Sequence, residues 1–280
     1  MAALVRAVID GAASGRIPKG QYGAIMVDEG HDFEPDWLRL VVDSVDPESD
    51  LLLLLYDDAQ SIYRAGGTLG FSLASVGVKA RGRTTVLRLN YRNTDEILGF
   101  AWRFVRDWVE PGEGDDDARS DDDAVPRMAP QASGRSGPEL AMRVFPDFAH
   151  EAVYSARQVR RAHEGGTPLA EIAVLYRSDW MGRALSRALA DAGVPVHWSR
   201  NATEKRRLSA SDDRAKLLTM HSSKGLGFPF VAVAGAGAMP VAGADLAAAA
   251  RLLYVAMTRA TERLVVTASG EPAFAARLAA

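Results

Sequence analysis

Between Tyr22 and Phe33 the chain carries a short apolar run, Ala24-Ile-Met-Val27, that stops at two adjacent carboxylates, Asp28 and Glu29. An apolar run of this length reads as a buried parallel strand. In an open α/β sheet, ligands bind at the C-terminal ends of the strands, which is where these carboxylates fall. One can hold a hydrated Mg2+ while its neighbour orients a water for attack on a phosphoryl group. A bare Val-Asp-Glu corner is more often only an acidic turn, so the weight rests on the residues downstream.

Downstream, apolar runs alternate regularly with helical spacings. Upstream, Ala2 to Ala13 has a helical apolar spacing, and Gly15 to Gly20 breaks it. Glu34 to Val45 reads as an amphipathic helix, Leu51 to Leu55 as a second apolar strand, and Val86 to Leu89 as a short third. Asn93 followed by Glu96 predicts a helix start, with Ile97, Phe100, Ala101, Phe104 and Trp108 on one face up to Pro111. A second series begins at Leu140 to Phe145, with a helix from Ala149 to His163 and a strand from Ile172 to Tyr176. Asp179 is read as the cap of a helix from Met181 to Ala192, closed by Gly193, and Val194 to Trp198 as a strand. Lys216 to Met220 and Phe230 to Ala234 are further strands, followed by a helix from Asp245 to about Thr261 and a strand from Leu264 to Thr267. Strands alternating with helices predict an α/β fold with parallel sheets.

Charge distribution separates one segment from the rest. The net charge is −3, but seven acids and one arginine between Glu113 and Asp123 contribute −6, which leaves +3 for the remainder. The span 110–138 therefore reads as an acidic, mobile surface loop, and the body as basic enough for a nucleic-acid partner. The 280 residues contain no cysteine, which excludes disulfides, thiol catalysis and Cys-based zinc sites and suits a cytoplasmic location. No apolar run approaches the length of a membrane span, and Met1 to Ile9 lacks the pattern of a secretory signal.

Five stretches stand at strand ends in order: Val27-Asp-Glu-Gly-His-Asp-Phe33, Asp57-Asp-Ala-Gln-Ser-Ile-Tyr-Arg64, Leu89-Asn-Tyr-Arg-Asn93, Thr219-Met-His-Ser-Ser-Lys-Gly-Leu226 and Arg251-Leu-Leu-Tyr-Val-Ala-Met-Thr-Arg-Ala260. Together they resemble the superfamily 1 DNA helicases of the UvrD/Rep type, over roughly Tyr22 to Thr267. The resemblance implies RecA-like P-loop NTPase lobes that close over ATP and Mg2+ while single-stranded DNA lies across them. It implies that Asp28 holds the metal, Glu29 activates water, and Gln60 senses the γ-phosphate. Arg92 and Arg259 would neutralise charge on the γ-phosphate as the lobes close. Tyr63 would stack on a base, with Arg64, Thr219, His221 and Ser222 contacting DNA.

The departures from that pattern are as informative. There is no Gly-x-x-x-x-Gly-Lys-Ser/Thr phosphate cradle, so the resemblance is to the C-terminal part of a motor that begins inside its first lobe. His31 stands where glutamine is usual, Gly227 replaces a glutamate, and only a short segment, His197 to Ala215, separates the Ile172-to-Tyr176 unit from Thr219, so the large helical insertion of many relatives is missing. The expected organisation is the tail of a first lobe over residues 1–88 and an essentially whole second lobe over 89–280. The expected activity is ATP-driven 3′ to 5′ translocation and unwinding, with poor hydrolysis by this chain unless a missing N-terminal part or partner supplies the cradle. Two alternatives stay open: a non-catalytic remnant that binds DNA or a protein, and an unrelated Mg-dependent phosphohydrolase built on Asp28 and Glu29.

Overall fold

The computed structural model describes residues 2–57, 71–109, 130–199, 212–240, 243, 245–270 and 273–279. These fall into two compact units, one within residues 1–87 and one formed by 88–108 with 128–280. Among the described residues, no helix is long and apolar enough to cross a membrane.

The first unit opens with helix α1 (Ala2–Ala13), followed by strand β1 (Ile25–Val27), helix α2 (Pro35–Ser44) and strand β2 (Leu52–Leu54). Pro35 at the first position presets the backbone of α2. β1 and β2 run parallel, with Met26 opposite Leu53 and Val27 opposite Leu54. Leu38 on α2 is fully buried, as are Leu73 and Val76 beside it. The expectation of a buried strand holds for only one face. Alternate side chains point to opposite sides of a strand, and Met26 remains 75% exposed and Leu53 46%. The physical reason is that this sheet has two strands, and among the described residues nothing covers its second face.

The second unit contains β3 (Leu89–Asn90), α3 (Asp95–Val109), β4 (Gln131–Ala132), β5 (Ala141–Phe145), α4 (Phe148–Glu164), β6 (Ile172–Tyr176) and α5 (Asp179–Asp191). It continues with β7 (Val196–Ser199), β8 (Ala215–Thr219), β9 (Phe228–Val233), α6 (Leu246–Met257), β10 (Ala260–Ser269) and α7 (Ala273–Ala279). Six strands form one sheet in the order β5-β10-β9-β6-β8-β7, and every neighbouring pair is parallel. The fold is therefore α/β, as the alternation predicts. All five residues of β6 are buried, because helices cover both faces. Ile172, Val174 and Tyr176 pack with Val159, Leu185 and Leu189 of α4 and α5. Ala173 and Leu175, of opposite parity, are equally inaccessible.

Several boundaries differ from the sequence reading for long-range reasons. The third strand is Leu89–Asn90 rather than Val86 to Leu89, because its partner is Gln131–Ala132, inside the span expected to be a loop. Residues 110–129 of that span lie outside the described residues, but its end is docked on α3. Gly134 N–H donates to Asp95 and Gly137 N–H to Glu96, and a Cβ on Gly137 would press into Thr94 at 2.6 Å. Asn93 does not cap α3, which begins at Asp95; its amide is engaged elsewhere. The residue before α5 is Ser178, with Asp179 already helical. Helix α6 ends at Met257, so Arg259 lies beyond it in the turn into β10 rather than on the helix.

Candidate functional site

In the first unit, β1 delivers Asp28 and Glu29 just beyond Val27. Glu29 takes a left-handed conformation (φ 55°, ψ 38°) that is uncommon for a residue with a Cβ. Its N–H donates to Asp28 Oδ1 at 2.9 Å. Gly30 follows, its N–H bonded to Leu55 O at 2.8 Å, where a Cβ would collide with Leu54. The corner is thus pressed against the end of β2, and a side chain at position 30 would force Leu54 to move.

His31, almost fully buried, completes this corner. Asp57 N–H donates to His31 Nδ1 at 3.0 Å. Because a backbone amide can only donate, Nδ1 must accept, and the proton of the neutral ring sits on Nε2. That Nε2 lies 3.1 Å from Glu29 Oε2 and 3.7 Å from Asp32 Oδ1. The imidazole therefore links the Glu29 carboxylate to the backbone that enters the Asp57-to-Arg64 stretch. Gln60, Tyr63 and Arg64 of that stretch lie outside the described residues.

In the second unit, β8 ends at Thr219 and leads into a helical turn, His221–Ser223. Ser222 N–H donates to Thr219 Oγ1 at 3.1 Å, and that hydroxyl donates in turn to Ser222 Oγ at 2.8 Å. The Ser222 hydroxyl proton is not used in this pair. Ser223, fully buried, holds the turn by donating to Met220 O at 2.7 Å. Met220 N–H donates to Tyr176 O, which ties the turn to the end of β6. Burial, and then the charge of Arg177, push the His221 imidazole below its ordinary value of 6.5.

Arg92 and Arg259 belong to one backbone knot, although the first side chain is exposed and the second buried. Asn93, buried, donates through Nδ2 to Thr258 O at 2.9 Å and to Ala260 O at 2.6 Å. The carbonyls on either side of Arg259 are thus fastened to the residue after Arg92. Phe228 N–H donates to Arg259 O at 2.9 Å, which adds the start of β9 to the knot. Arg92 is exposed. Arg259 is buried, its Nε donating to Val255 O at 3.0 Å and Nη1 to Leu226 O at 3.2 Å.

Two residues at this sheet end carry no motif signal. Arg177, directly after β6, is half-buried and has no hydrogen bond or ion pair among the described residues. Trp180, in the first turn of α5, is half exposed. Among the described residues no three His, Cys, Asp or Glu side chains gather as a metal cluster. A lone strand-end carboxylate such as Asp28, with Oδ1 taken by a backbone amide, suits a cation that keeps most of its own waters, as Mg2+ does.

Residues 85–203 and 197–271 match the UvrD-like helicase C-terminal domain family. Over 177 residues, 61% of the chain, the sequence is 27% identical to DNA helicase II of Escherichia coli (strain K12), and the match spans 22% of that protein's length. A solved structure, the C-terminal domain of a "possible DNA helicase" from Lactobacillus plantarum WCFS1, aligns with a TM-score of 0.47 at 20% identity. It covers 68% of this chain and 94% of that one. A likeness of that size adds nothing to the site.

Proposed function

Because the chain belongs to the UvrD-like helicase C-terminal domain family, we propose that it is part of an ATP-dependent motor that translocates 3′ to 5′ on single-stranded DNA and separates duplexes. The observation that carries this reading is the Asn93 knot. It makes the turns bearing Arg92 and Arg259 one mechanical body, so guanidinium groups brought to a γ-phosphate would arrive and leave together with β9 and β10. Coupling ATP state to lobe closure needs such a rigid connection.

In this reading Asp28 holds Mg2+, and Glu29 orients the attacking water. Mg2+, when bound, would neutralise charge on the phosphate oxygens. His31 fixes the rotamer of Glu29 by donating from Nε2, and through Asp57 it connects that carboxylate to Gln60, the γ-phosphate sensor. Thr219, His221 and Ser222 offer hydroxyl and imidazole groups to DNA phosphates, with Tyr63 and Arg64 contributing from the first lobe. Such contacts give grip without reading sequence.

The phosphate cradle would come from a segment or partner outside these 280 residues. The exposed Met26 and Leu53 side chains support this, since parallel sheets are ordinarily covered on both faces. The test is ATP turnover with and without single-stranded DNA, alongside DNA binding by fluorescence anisotropy over a salt series. The proposal expects little or no turnover by this chain, and salt-dependent binding that weakens in Thr219→Ala with His221→Ala. Strong DNA-stimulated turnover abolished in Glu29→Gln would contradict the external cradle. No binding at low salt would contradict the DNA track.

A further inference from the structure

Residues 134–137 form a strap across the turn that carries Arg92, and none of the five motifs includes them. They follow β4, which pairs with Leu89–Asn90 at the entrance to that turn. The turn itself is built by Asn90, whose Oδ1 accepts from the Arg92 and Asn93 N–H groups at 2.9 and 3.0 Å. The Arg92 side chain is exposed, so its direction depends on the backbone that carries it. The strap is fastened to that backbone and its continuation into α3. Asp95 N–H donates to Arg135 O at 2.9 Å, Gly134 N–H to Asp95 Oδ1 at 3.2 Å and Gly137 N–H to Glu96 Oε2 at 2.8 Å. A Cβ on Gly137 would lie 2.6 Å from Thr94 and 3.0 Å from Glu262 O, so the strap is wedged between the start of α3 and β10.

Arg135 closes the arrangement. Its Nη1 donates to Arg92 O at 3.1 Å, and its Nη2 pairs with Glu262 Oε1 at 3.0 Å. Glu262 lies on β10 just past Ala260, whose carbonyl Asn93 holds. The Arg92 turn is therefore fastened twice to one stretch of β10, once through Asn93 and once through Arg135. The Arg135 and Glu262 side chains are exposed, and an ion pair in water contributes little stability. Its effect on geometry is larger, because a planar guanidinium grips two acceptors at once and an ammonium group offers no such fork.

We propose that Arg135 is a positioning residue for Arg92: it holds the Arg92 carbonyl while Glu262 holds its guanidinium, so that the Arg92 side chain leaves the turn in one direction. This rests on the reading that Arg92 meets the γ-phosphate. A loosened turn would present Arg92 correctly for only part of the time, and apparent affinity falls by that fraction.

The experiment uses the full chain labelled with 15N, and reads 15N relaxation at the Arg92 and Asn93 amides together with the Arg92 Nε–H resonance during titration with Mg-ATP. Arg135→Ala should lower the order parameters of both amides from about 0.85 to about 0.6. Arg135→Lys, which keeps the charge without the fork, should lose nearly as much, whereas Glu262→Gln, which keeps an accepting oxygen, should lose little. In the unmodified chain Mg-ATP should shift the Arg92 Nε–H resonance, and in Arg135→Ala the midpoint of that shift should move to about threefold more nucleotide. Equal thermal midpoints and unchanged order parameters over Ile172–Tyr176 establish that the fold is retained. Unchanged order at Arg92 in Arg135→Ala, or an unchanged titration midpoint, would overturn the positioning role while leaving the reading of Arg92 intact. An Arg92 resonance that Mg-ATP does not move in the unmodified chain would overturn that reading and this role with it.

Discussion

The two sheets use one device, an apolar strand that delivers polar residues at its C-terminal end, and support it in different ways. In β6 every residue is buried between helical layers, whereas in β1 only Val27 is buried and Met26 faces water. The geometry at the end of β1 is instead held by short-range bonds: Glu29 to Asp28, Gly30 to Leu55, and His31 between Glu29 and Asp57. Local hydrogen bonding can therefore shape a candidate catalytic corner without a complete core beneath it. The ends of β6 and β8, by contrast, inherit their positions from the whole six-stranded sheet.

The sharpest way to break this contrast is by truncation in each sheet. Leu175→Ala in β6 should cost about 3 kcal/mol of stability by urea denaturation, while Met26→Ser in β1 should change it by less than about 0.5 kcal/mol. Comparable losses would mean that the first sheet is as well supported as the second. Next in size is Glu151, a buried carboxylate on α4 that accepts from Gly235 N–H at 2.8 Å, Thr267 Oγ1 at 2.7 Å and the Ser269 hydroxyl. Glu151→Ala leaves those donors unsatisfied and should destabilise the second unit by about 2 kcal/mol, with Glu151→Gln losing less. In the first unit, His31→Ala should cost only about 1 kcal/mol but speed amide exchange at Asp57. Long-range 1H–15N correlation should find the His31 proton on Nε2; a proton on Nδ1 would refute the link to Glu29.

The smallest expected effect is on pH. With its folded value pushed below 6.5, His221 is less protonated than it would be in the unfolded chain between that lowered value and 6.5. Stability should therefore decline slightly as pH falls through this window. DNA phosphates favour the charged ring, so affinity should move the other way and rise as pH falls. His221→Gln should flatten both trends, and a pH-independent affinity in the unmodified chain would argue against an imidazole–phosphate contact.

Much of the architecture is legible in the chain because apolar runs such as Ile172 to Tyr176 announce buried strands by composition alone. Edges are less legible, because distant partners set them. β10 begins at Ala260 rather than Leu264 since Phe228 pairs with its backbone, and Asn93 holds the carbonyls that flank Arg259. Gln131 and Ala132 carry no apolar pattern, so their pairing with Leu89 and Asn90 could not be anticipated. Ser178 and Asp179 are both good cap residues, and spacing alone does not choose between them. At the candidate sites, Asp28, Glu29 and the Thr219-to-Ser222 turn are visible as motifs. The part played by His31 needs a partner 26 positions away. Trp180 beside Met181 reads as one more apolar helical residue until its exposure is seen.

Native-state hydrogen exchange on the whole chain, read by mass spectrometry with and without a thymidine oligonucleotide, tests the central contrast most directly. The account predicts that Ile172–Tyr176 and Ala215–Thr219 exchange only on global unfolding, while Ile25–Val27 exchanges through easier local opening. On adding the oligonucleotide, 220–223 should slow. Equal protection of the two sheets, or no slowing anywhere in the second unit, would contradict it.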